Sequence, residues 1–136
     1  MIRRHLAVTG LLAVALVAAA VPAFGKGKPG DPSISLNAPY GASGVQPALG
    51  DYVTFTTVIP GNIQTPRVEV LCYQNGVLGY GEAGSPDWAF QLGGGASLWK
   101  TAGGPASCVA NLYYFSWKAG QPTTVYLATT SFNATG

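Results

Sequence analysis

The chain has 136 residues, only 9% of them charged, and a formal net charge of +2. Arg3 and Arg4 stand at the very start; beyond the apolar run that follows, five basic residues (Lys26, Lys28, Arg67, Lys100, Lys118) meet five acidic ones (Asp31, Asp51, Glu69, Glu82, Asp87). A body so balanced lacks the counterion-release energy that drives binding to phosphate backbones and the basic cluster that anionic membranes attract, which excludes nucleic acid as a partner class and argues against a membrane surface.

The basic start "MIRRH" runs into "LAVTGLLAVALVAAAV" and then "PAFGKGKPGD", the pattern of a secretory signal peptide. The apolar run, Leu6 to Val21, is 16 residues long, short of the roughly 20 that cross a bilayer as a helix. Cleavage after Ala23 puts Val21 and Ala23 at the two small-residue positions, with cleavage after Ala20 in competition. The expectation is a signal peptide over 1–23, no membrane insertion after its removal, and an extracellular location. The 113 residues that would remain suffice for one domain.

Residues 24–32, "FGKGKPGDP", alternate nothing and read as a flexible leader segment, so the domain is placed at 33–136. No later stretch keeps a 3.6-residue period, and Gly and Pro interrupt the chain too often for long helices. Alternation recurs instead. A weak first strand is expected at Ser33–Asn37. Residues 51–59 put Val53, Phe55 and Ile59 on one side against Tyr52, Thr54 and Thr56, and residues 67–74 put Val68, Val70 and Cys72 against Arg67, Glu69, Leu71 and Tyr73. Asn75-Gly76 is a hairpin signal, because a type I′ turn needs positive φ at both central residues. The return strand is Val77–Tyr80, loops follow at 81–87 and 93–95 around a short strand near Trp88–Leu92, and two longer strands lie at 106–115 and 123–131. About seven short strands at regular spacing predict an all-β sandwich or barrel.

The two cysteines are Cys72 and Cys108, and in an exported chain they read as one disulfide. A metal site is disfavoured because the only histidine, His5, lies in the leader and two thiolates do not complete a zinc tetrahedron. Cys72 shares its face with Val68 and Val70, and Cys108 shares its own with Ala106, Ala110 and Leu112, so both sulfurs are expected in the core. With these residues the chain resembles an immunoglobulin-like antiparallel β-sandwich. It is also similar in size, leader and Ala/Gly/Thr-rich strands to small exported bacterial sandwich proteins such as the apoproteins that carry enediyne chromophores. The resemblance implies the fold class alone. Immunoglobulin domains usually separate their cysteines by more residues and pack a tryptophan between them, whereas here the bridge is expected to join the third strand to the sixth, or the same segments with the strand numbering off by one.

Chemistry is sparse. Without histidine past the leader, Ser-His-Asp and Cys-His nucleophile systems have no base. Glu82 and Asp87 share a loop but read as solvated turn residues rather than a hydrolytic pair, and "GGGAS" matches no phosphate-cradling motif. Asn133-Ala134-Thr135 has the form of a glycosylation sequon without further support. No enzyme, cofactor or metal is expected. The feature above background is aromatic placement: outward positions carry Leu71 and Tyr73, then Val109, Tyr113 and Phe115, then Tyr126, on a face that an antiparallel sheet normally keeps polar. Tyr73, Tyr113, Phe115 and Tyr126 are therefore the candidate binding residues of a noncatalytic interaction domain, with a protein or a surface glycan as partner and pairing between copies open to it. The second reading is a small-ligand or carbohydrate carrier with a cleft at the sandwich end near Trp88, Trp99 and Trp117, tryptophans that equally fit the closing of the core at that end.

Overall fold

The computed structural model describes residues 30–95, 97–99 and 103–136. The signal peptide and all but the last three residues of the leader segment lie outside the described residues. Eight strands are described: β1 Ser33–Leu36, β2 Tyr52–Val53, β3 Phe55–Val58, β4 Arg67–Gln74, β5 Val77–Gly84, β6 Phe90–Gln91, β7 Ala106–Lys118 and β8 Gln121–Ala134. β5-β4-β7-β8 form a four-stranded sheet, while β1-β3 and β2-β6 form two short pairs. All these pairings are antiparallel.

The alternation read from the sequence holds where it matters for the core. Val68, Val70 and Cys72 of β4 and Ala106, Cys108, Ala110 and Leu112 of β7 are buried in one cluster with Ile34, Val53, Phe55, Phe90 and Leu92 of the short pairs and their flanks. Phe55 joins the layers, its ring 6.0 Å from Phe90 and 6.1 Å from Phe132 of β8. Each fully buried aliphatic side chain contributes about 1.5–3 kcal/mol, so the inner face of β4 and β7 is the main source of cohesion.

Two expectations are corrected in detail. Residues 51–59 are not one strand: the run breaks at Thr54, whose carbonyl accepts from the Asn37 N–H (3.0 Å) and whose Oγ1 accepts from Asn37 Nδ2 (3.0 Å). β2 then pairs with β6 and β3 with β1. That extra strand shifts the numbering by one, so the disulfide joins β4 to β7, the same two segments counted one later. Cys72 and Cys108 are directly opposite in register, so the bridge lies within one sheet. The immunoglobulin pattern sets it between sheets. The expected loop at 81–87 also starts late, because β5 continues through Gly84 opposite Val68.

Both hairpins of the large sheet turn on two residues with positive φ. Asn75 (53°) and Gly76 (77°) make the expected one, and Ala119 (49°) and Gly120 (76°) make another between β7 and β8. The second is not signalled by composition, since alanine is an unusual occupant of the left-handed region. β7 and β8 run past the start of β4, where Arg67 pairs with Tyr113. From Tyr114 to Val125 they form a two-stranded ribbon without β4 as a third strand.

Candidate functional site

On β7, Leu112 belongs to the core and the next residue faces the other way, so Tyr113, Phe115 and Trp117 stand in one row on the outer face. Their exposure climbs along the row, from 6% at Tyr113 to 48% at Phe115 and 70% at Trp117. Opposite them on β8 stand Tyr126, Thr124 and Pro122. Tyr126 reaches this face through a bulge. Ala128 pairs with Leu112 and Tyr126 with Tyr113, leaving Leu127 as an extra residue that reverses the alternation and packs against the core. Without it, Tyr126 would point inward with Ala128.

The rings close on one another: Tyr113 lies 5.6 Å from Phe115 with the planes at 86°, and 6.0 Å from Tyr126. Tyr113 was expected as a contact residue and is instead buried beneath its aromatic neighbours, outside the main core cluster. Below the rings sits a polar network. Glu69 Oε1 accepts from Asn111 Nδ2 (3.0 Å) and from the Tyr126 hydroxyl (3.3 Å), and Asn111 Oδ1 accepts from Thr129 Oγ1 (2.8 Å). The negative charge of Glu69 raises the Tyr126 phenol above its ordinary value, with burial and the hydrogen bond to the same carboxylate adding to it.

Tyr73 does not join this cluster. It pairs with Ser107, six residues along β4 from the Arg67–Tyr113 pair, a separation of about 20 Å at 3.3 Å per residue. Leu71 and Val109 lie between, followed by the polar Glu69–Asn111 pair. The outer face therefore carries one aromatic stripe at the ribbon end and a separate exposed tyrosine at the other. Trp117, expected at the sandwich end with Trp88 and Trp99, stands instead in this row, in line with its spacing of two from Phe115.

The three tryptophans go to three places. Trp117 ends the outer stripe. Trp99 is buried in the core cluster, held where Gly79 O accepts from the N–H groups of Leu98 (2.7 Å) and Trp99 (3.2 Å) and from Ser97 Oγ (2.8 Å). A Cβ on Gly79 would come within 3.3 Å of the Trp99 backbone, a tight contact that glycine avoids. Trp88 is half-exposed and packs over Gly84. It borders a cleft of about 400 Å³ between β5 and the β2-β6 pair, lined also by Tyr52, Tyr80, Glu82 and Gln91. There Glu82 accepts from the Tyr80 hydroxyl at Oε2 (2.6 Å) and from Trp88 Nε1 at Oε1 (3.0 Å). Burial, together with that hydrogen bond, pushes the Tyr80 phenol far above its ordinary value. A larger recess of about 520 Å³ between β1 and β8 is lined, among the described residues, by no ionisable side chain.

Comparison with protein-family models, with curated proteins and with solved structures finds no match.

Proposed function

We propose that this chain is a secreted, noncatalytic, immunoglobulin-like β-sandwich module that binds a protein or a surface glycan through the stripe formed by Phe115, Trp117 and Tyr126 over Tyr113. The carrying observation is the row of large side chains whose exposure rises toward the ribbon tip on a face free of core contacts. An exposed aromatic patch has the composition of recognition surfaces, where rigid rings supply contact area at little entropic cost. The buried Tyr113 orients the outer rings, and the cross-strand bridge stiffens the strand that carries them. The bridge also fits an oxidising, extracytoplasmic setting. β8 adds a further possibility for partners, since its 14 residues include no charged side chain to discourage edge pairing between copies.

The test is binding of the fluorescently labelled exported protein to cell surfaces and to arrayed glycans, for wild type and for a variant with Phe115→Ser, Trp117→Ser and Tyr126→Ser together. Loss of binding at an unchanged melting temperature is the expected result. Retention of binding by the variant overturns the proposal.

A further inference from the structure

We propose that the cleft between β5 and the β2-β6 pair is a second site, for a small organic cation of the quaternary-ammonium class. It is independent of the aromatic stripe. Glu82 lies opposite Val70, whose side chain is in the core, so its cleft opens on the opposite side of the sheet from Phe115 and Trp117.

The first ground is charge. Glu82 is partly buried, and both its oxygens are held by neutral donors, the Tyr80 hydroxyl and Trp88 Nε1. Among the described residues no lysine or arginine lines the cleft. A carboxylate partly shielded from water attracts a cation more strongly than a fully solvated one, and a cationic ligand brings to Glu82 a charge that its neutral partners do not supply. The second ground is the walls. Tyr52 and Trp88 both expose ring surface at this cleft, and π-faces attract cations, quaternary ammonium groups above all. The third ground is local to the carboxylate. The two donors that reach it, the Tyr80 hydroxyl and Trp88 Nε1, are already directed at Glu82, while the Tyr52 hydroxyl and the Gln91 amide line the cleft beside it. What remains for a ligand at the carboxylate is negative charge and aromatic surface, which suits a trimethylammonium head.

Choline chloride titrated into the full exported chain tests this, with binding followed by calorimetry and by tryptophan fluorescence. The expected result is saturable binding that weakens with added salt, is absent for the uncharged isostere bearing tert-butyl in place of trimethylammonium, and falls roughly tenfold or more in Glu82→Gln. Tyr52→Leu, at an exposed ring, should weaken binding severalfold without changing the melting temperature, which keeps the test valid if Glu82→Gln fails to fold. The triple stripe variant should bind choline like wild type, so the two sites succeed or fail separately. No saturable choline binding, equal binding of the isostere, or tighter binding of methyl glucoside that is insensitive to Glu82→Gln would each overturn the proposal.

Discussion

β7 carries two rows of side chains that differ in almost every respect although one backbone holds both. The inner row, Ala106, Cys108, Ala110 and Leu112, is composed of small or aliphatic residues and is buried throughout. The outer row ends in Tyr113, Phe115 and Trp117, whose rings pass from buried to widely exposed. The inner row meets the buried side chains of the short strand pairs, whereas the outer row meets its own neighbours, β8 and, at Tyr113, the start of β4. A hydrophobic side chain stabilises the fold only to the extent that something covers it, so the inner row holds the molecule together and the outer row is available to a partner.

Breaking the inner row at its covalent centre should have the largest effect. Replacing Cys72 and Cys108 together by Ala opens a loop of 36 residues and should cost about 4 kcal/mol in chain entropy, measured as a drop in denaturant midpoint. Leu112→Ala, at a fully buried site, should cost about 3 kcal/mol. Trp117→Ala, five residues along the strand and mostly exposed, should cost under about 0.5 kcal/mol. Comparable losses in chemical denaturation for Leu112→Ala and Trp117→Ala would erase the distinction between the rows.

Alkaline titration sharpens the same comparison. The phenols of Tyr80 and Tyr126 are both raised in the folded protein, while in the unfolded chain they ionise near pH 10. Their contribution is fully present below that value and is lost as the pH rises above it, because only the unfolded state then releases the protons. Melting temperature should therefore hold up to about pH 10 and fall beyond. Tyr80→Phe, in the core cluster, should flatten that fall more than Tyr126→Phe, at an exposed ring on the outer face. The smallest effect is expected at the ribbon tip. Ala119→Asn places a residue tolerant of positive φ (49° here) in the turn and should stabilise by roughly 0.5 kcal/mol.

Much of this was legible beforehand. β4 falls where its alternation predicts, residue for residue, because both faces of that strand keep a strict period of two. The Asn75-Gly76 turn and the inward cysteines were equally plain. The candidate site was legible only in part. Phe115 and Tyr126 are exposed together as expected, but Tyr126 arrives there through the Leu127 bulge, which no local pattern announces. Tyr113 carries the same alternation signal as Phe115 yet is buried, since its cover comes from rings on two strands. Trp88 and Trp99 were grouped with Trp117 because sequence distance says little about which loop folds under the sheet and which lies at its edge.

The amino-acid order alone determined the all-β character, the side of β4 and β7 that turns inward, and the pairing of the two thiols, because each rests on a two-residue period or on there being no other partner. Tertiary structure decided that the bridge lies within one sheet, that 51–59 splits between two strand pairs, and which aromatic rings remain in contact with solvent. Those outcomes depend on contacts between residues far apart in the chain, and a period of two gives each side chain a face without saying what will stand against it.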